Sequence, residues 1–464
     1  MRKTGALNKA FYKRVFKVMM PILLQNVITN FVNLLDNVMV GQVGTEPMSG
    51  VAIANQLIFV FNLCIFGGFA GAGIYTSQFA GKGDDKGVCH TIRTKIYMGL
   101  IIGIVFTVLF LVAGGPLIEL FLHEGNEGLS LAATYQYSMD YLRVMVIQII
   151  PYAFIQVYAS SLRETGETML PMIASIAAVL TNLVGNYILI FGKLGAPEMG
   201  VVGAAIATVF SRFVELGILV IYAHTRKQRF PHYQYLYRSP KVSMVVVKDI
   251  MRKGSLLLLN EFLWSFGQTM LSQCYSLRGL EVVSATNIAS TINNLFMCAV
   301  FASGSTINIM VGQLLGAGHI DEAEYTQKRV TFLSVALCFI VGAALAVCAA
   351  PIADFYNTTD SVKALATSLM MVLACVMPFH AYTNACYFTL RTGGKVVITF
   401  LFDSVSTWCG YVLVAFCLTH FTALPIVTIY ICVNCVEILK AILGFLMVRK
   451  KTWLVNLVAD KEVG

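Results

Sequence analysis

The chain has 464 residues, of which 57% are hydrophobic and 12% charged, with a mean hydropathy of +0.74. No soluble core needs that much apolar surface, so a water-soluble enzyme or binding domain is excluded. The formal net charge of +9 is spread over many short loops, which makes it a signal of membrane topology rather than a nucleic-acid surface.

Twelve largely apolar runs of about 20 residues, roughly what a helix needs to cross ~30 Å of hydrocarbon, are predicted at 15–41, 50–74, 93–114, 138–161, 169–192, 200–223, 255–277, 284–310, 330–352, 364–388, 396–418 and 424–448. The first is too long for a removed signal peptide and lacks a small-residue cleavage site, so it is read as the first span. It carries Asn26, Asn30, Asn33 and Asn37 on one helical face, with Asp36 at the edge of that stripe. The fifth adds Asn182 and Asn186. The sixth has Arg212 and Glu215 three residues apart, placed to neutralise each other along one face. Between the sixth and seventh, from about His224 to Lys253, lies a basic, aromatic loop that reads as a surface linker near anionic headgroups.

The seventh span offers Glu261, with Asn260 beside it and Gln268 a heptad later; the eighth offers Asn287, Thr291 and Asn294 on one face. His380 in the tenth is read evenly as a satisfied core histidine or a proton-sensitive group. Asp403 lies in the eleventh. In the twelfth, Glu437 and Lys440 are again spaced as an intrahelical pair, and Cys432 and Cys435 read as packing. The tail carries Trp453 on a basic flank, the pattern of an interfacial segment.

Most of the 33 Lys and Arg fall on one side of this topology, including the N-terminal arm, the long loop and the tail. The positive-inside rule then puts both termini in the cytoplasm, as an even number of spans requires. A carboxylate and several amides on one face cannot point at lipid without leaving buried donors and acceptors unpaired, so that face is expected to meet protein or a wet cavity. An ionised carboxylate alone is costly there and takes a proton or a cation, which is the physical basis for an ion-coupling role for Asp36, Glu261 and Asp403. The expected substrate-cavity side chains are Asn33, Asn37, Asn182, Asn186, Gln268, Asn287, Asn294 and His380.

The chain also reads as one unit written twice. At an offset of 235, Gly44, Ser49, Ala54, Gln78, Gly81, Gly83, Thr91 and Pro116 fall on Gly279, Ser284, Ala289, Gln313, Gly316, Gly318, Thr326 and Pro351. Further on, the segment from Leu162 to Gly166 returns from Leu390 to Gly394. The expected organisation is an N-lobe at 1–223, a cytoplasmic linker at 224–253, a C-lobe at 254–448 and a cytoplasmic tail at 449–464, with two similar bundles that rock to expose a site to alternate sides of the membrane. No phosphate-cradling loop, HExxH, Cys and His ligand cluster or Gly-x-Ser-x-Gly elbow is present in the sequence, so an enzyme, a resident metal or a cofactor is not expected.

Six stretches together resemble the multidrug and toxic compound extrusion (MATE) family: LDNVMVGQVG ending the first span, TSQFAGKGD and VGQLLGAGHID after the second and eighth, LRETGETMLPM entering the fifth, MGVVGAAIAT opening the sixth and LRTGGKVV entering the eleventh. The resemblance covers about residues 15 to 455. It implies an all-α integral membrane protein with twelve transmembrane helices in two pseudo-symmetric six-helix bundles, V-shaped, exporting organic cations or amphiphilic drugs in exchange for H+ or Na+. Asp36 matches the aspartate that similar proteins use in the N-lobe, Asn182 a polar position near it, and Glu261 the glutamate of the sodium-coupled type. That type also carries an aspartate in the tenth span where this chain has His380 and Asn384, and Asp403 is the expected second acid. The implied partners are a small cationic or amphiphilic molecule and the bilayer, with no nucleic acid, for a monomer in the plasma membrane, taken as a bacterial inner membrane. A flippase for lipid-linked oligosaccharides, of the same superfamily, is the alternative.

Overall fold

The computed structural model describes residues 2–122, 130–226, 228–356 and 358–461. Residues 462–464 of the expected tail lie outside them. Among the described residues every regular element is helical: α1 (Arg2–Gly41), α2 (Thr45–Lys82), α3 (Asp85–Glu119), α4 (Leu131–Met145), α5 (Ile149–Glu164), α6 (Met169–Ile190), α7 (Gly200–Thr225), the short α8 (Pro231–Gln234), α9 (Met244–Ser276), α10 (Leu280–Gly316), α11 (Ile320–Asp354), α12 (Asp360–Thr392), α13 (Val396–Phe400), α14 (Leu413–Phe421) and α15 (Ile426–Arg449). α4 and α5 form one crossing, joined through a tight 3-10 turn at Val146–Gln148. Pro151 lacks the N–H that would continue the ladder across that turn. Between α13 and α14 the chain winds as a π-helix over Leu401–Val412.

Eleven described helices or helix pairs are long and apolar enough to cross a membrane. The twelfth, α9, has 33 residues but falls short in hydropathy. Asn260, Glu261 and Gln268 are the reason, and a span tolerates such residues only where protein or water meets them.

The chain divides into two compact units. An N-terminal unit comprises Leu24–Thr76 and Asp84–Gly254; a C-terminal unit comprises Ser255–Glu462 together with Met1–Leu23 and Ser77–Gly83. Within the N-terminal unit, α6 and α7 pack along their length, and α3 packs on α5. The loop after α7 is not a surface linker. Phe230, Tyr233 and Leu236 are buried, and Arg93 on α3 donates to the carbonyls of Leu236 at 2.9 Å and Lys241 at 3.0 Å. Tyr97 donates to Pro240 O at 2.8 Å. Burial pushes the His232 imidazole below its ordinary value, partly offset by Asp85 at 3.2 Å. A loop whose own carbonyls are the acceptors for a buried guanidinium is part of the core.

In the C-terminal unit, the core runs from Val15 and Met19 of α1 through Ile307 and Val311 of α10 to Leu390 of α12. Trp453 joins it at 1% exposure, so the tail is packed rather than interfacial. Gln78 explains why: its amide nitrogen donates to Thr392 O at 3.1 Å and Val455 O at 3.3 Å, and its oxygen accepts from Leu457 N at 2.7 Å. Lys82 donates to Val458 O at 2.8 Å, and Asn456 to Gly316 O at 3.1 Å.

The repeat is visible where α2 ends against α10. A β-carbon on Gly81 would fall into the backbone of Gln313, and one on Gly316 into the backbone of Gln78, so the same two residue types cross reciprocally. Two residues later Gly83 and Gly318 both turn left-handed, at φ of 75° and 78°, and end their helices.

Candidate functional site

Each unit holds a carboxylate inside its helices. In the N-terminal unit, Asp36 of α1 is half-buried and faces α6. Asn186 Nδ2 donates to Asp36 Oδ1 at 2.8 Å. With the Asn182 amide oriented to match its neighbours, its nitrogen donates to the two Asp36 oxygens at 3.0 and 2.9 Å, and its oxygen accepts from Thr208 Oγ1 on α7 at 3.0 Å. One helical turn separates Asn182 from Asn186, which is why both reach the same carboxylate. Tyr141 of α4, fully within the core, stands beside Thr208 and Asn55. Among the described residues Asp36 forms no ion pair. The nearby Arg212 guanidinium is engaged by Glu215 at 2.8 Å, along its own helix, and lies 5.5 Å from the centre of the Tyr152 ring. Asn186 Oδ1 is buried with no donor.

The C-terminal unit is built differently. Asp403, on the π-helical segment, accepts from Lys440 Nζ of α15 at 2.7 Å and from Asn260 Nδ2 of α9 at 2.9 Å. Asn260 is oriented in turn by Ser404, whose hydroxyl donates to its oxygen at 2.8 Å. Glu261 is half-buried beside Tyr387, Arg391 and Asp403. Lys440 therefore reaches across to another helix, and the expected pairing with Glu437 along α15 is not made. Glu437, 2% exposed, instead accepts from Thr383 and Tyr411 and has His380 Nδ1 at 3.2 Å. His380 thus stands against a buried carboxylate.

The structure thus brings Asp36 together with Asn182 and Asn186, and Glu261 with Asp403. Asn33, Asn37, Gln268, Asn287 and Asn294 are exposed on their own units and join neither cluster. Lys440, Tyr411, Thr383 and Thr208 were not among the expected site residues. Their contacts run between different helices, where spacing along one helix carries no signal.

A model of the MatE family matches residues 21–188 and 257–417. A probable multidrug resistance protein NorM of Thermotoga maritima is 25% identical over 97% of this chain and 95% of its own length. The multidrug resistance protein MdtK of Pectobacterium atrosepticum is 25% identical over 78% of each chain. In fold, an outward-facing multidrug resistance MATE family transporter of the MOP superfamily superposes with a TM-score of 0.85 at 20% identity, covering 95% of each chain.

Proposed function

The chain belongs to the MatE family, and from that premise we propose that this multi-pass membrane transporter is a secondary active antiporter exporting organic cations or amphiphilic drugs in exchange for protons. Relatives named as multidrug resistance proteins support the drug-efflux part of the reading. The excess of Lys and Arg in the loops assigned to one side supports cytoplasmic termini, and a bacterial inner membrane is the expected location. The exposed amides Asn33, Asn37, Gln268, Asn287 and Asn294 support wetted faces, since lipid would leave them unpaired.

The observation that carries proton coupling is the setting of Asp36. Its carboxylate accepts from the amide nitrogens of Asn182 and Asn186 and, among the described residues, forms no ion pair, the nearby Arg212 being engaged by Glu215. A bound Na+ needs a shell of oxygens, and here nitrogens occupy the first contacts. A proton needs only the carboxylate. Turning the Asn186 amide over would bring its donorless oxygen to Asp36, where a protonated acid can donate to it. In this cycle Asp36 takes up a proton from outside, gives up its hold on a cationic substrate, and releases the proton inside. Glu261 is proposed as the second acid that substrate or proton meets.

Proteoliposomes with separately imposed gradients test this. A pH gradient is expected to drive movement of a fluorescent organic cation in sodium-free buffer. If only a sodium gradient does so, proton coupling is wrong. If neither moves the dye while a labelled lipid-linked sugar crosses, the protein is a flippase.

A further inference from the structure

Asp403 is held by a cation of the protein's own, from another helix. Both side chains are largely buried, at 11% and 15% exposure for Lys440 and Asp403. Asn260 satisfies the second carboxylate oxygen, Ser404 fixes Asn260, and the Lys440 ammonium lies 5.3 Å from the centre of the Phe402 ring. The ammonium contacts one Asp403 oxygen, at 2.7 Å, and Glu261 and Tyr387 stand in the same cluster. Carboxylate oxygens are ligands that a small hard cation takes, and the two acids Asp403 and Glu261 lie together here. Glu437, one turn before Lys440 on α15, does not claim the ammonium because Thr383, Tyr411 and His380 already occupy it.

We propose that Lys440 is a tethered cation: it fills, at Asp403, the position that an exchanged ion would otherwise take, and so withholds this acid from the ion cycle. The inference deepens the antiport reading and rests on it for there being an exchanged ion. A lysine suits the role, since its ammonium is a compact charge with three donors on a flexible stem. Stability alone gives little reason for such a pair, because desolvation of two charges offsets most of their attraction. Asp36 shows that this chain also holds a membrane carboxylate by amide donors with, among the described residues, no ion pair.

The test is binding of the metal alone to purified variants. Lys440→Met removes the charge and keeps an apolar stem, leaving Asp403 open. Its melting temperature is expected to rise by several degrees, saturably, as sodium replaces choline at equal ionic strength, because a ligand of the folded state stabilises it. The wild type and the Lys440→Met/Asp403→Asn double variant are expected to show no such rise. Equal melting of Lys440→Met in sodium and choline overturns the proposal, as does equal failure to recover folded protein in both. A sodium-dependent rise in the wild type that Asp403→Asn removes overturns it too. This experiment reads binding rather than flux, so its result stands apart from that of the imposed gradients.

Discussion

Asp36 and Asp403 are both half-buried carboxylates on membrane helices, yet the first is held by two amides and the second by an ammonium. Neutral donors lower the cost of burying a charge without cancelling it, so the charge is still available to something that arrives. A lysine cancels it, and leaves nothing for an arriving cation to do. The scaffold repeats, as the reciprocal contacts of Gly81 with Gln313 and of Gly316 with Gln78 show, but the acids do not: at the same offset of 235 Asp36 falls on Leu271.

The harshest way to break the contrast is Asp36→Asn. The substitution keeps the shape and removes the exchangeable charge, so export of a fluorescent cation from cells lacking other exporters is expected to fall to background while the purified protein melts within a few degrees of the wild type. Export at the wild-type rate would make Asp36 as inert as its neighbouring amides. A second comparison concerns the segments after α7 and after α15, each packed into its own unit. Trp453→Ala is expected to cost about 3–5 kcal/mol, the usual range for removing a buried Trp. If melting in detergent shows no loss, the tail is the interfacial segment that its composition resembles. The mildest test sharpens the scaffold similarity: Gly81→Ala and Gly316→Ala are each expected to cost about 1–3 kcal/mol, by equal amounts, since each forces a methyl into a backbone. Unequal losses in parallel melts would mean that the crossing is symmetric in sequence only.

The spans, the duplication and the polar stripe of α1 were legible because each is written in local periodicity or in order along the chain. The partner of Asp403 was not. Spacing places Glu437 and Lys440 on one face of α15, but a side chain as long as lysine reaches another helix as easily as the next turn, and Thr383 and Tyr411 already satisfy Glu437. Arg212 and Glu215 show the same spacing and do pair. The difference lies in competing partners on other helices, which no spacing encodes. Trp453 misled for a related reason. An indole beside basic residues looks alike whether it rests at headgroups or is drawn inward, and what draws it inward is Gln78, more than 370 residues earlier, binding the irregular segment that follows it. The π-helical winding of Leu401–Val412, which carries Asp403, leaves no mark in the pattern of apolar residues either.

The C-terminal unit gathers Met1–Leu23 and Ser77–Gly83 from the first part of the chain and closes on residues beyond 450. During synthesis, the first turns of α1 and the last turns of α2 emerge long before α10, α12 and the tail that will surround them. Contacts this distant in sequence are slow to form, because the intervening loop must close first. Until residues 455–457 have been made, Gln78 lacks its acceptor and donor there, and the C-terminal unit cannot be complete. A nascent chain stalled before residue 450 is thus expected to expose to proteases a region that the segment around Trp453 and Leu457 otherwise covers.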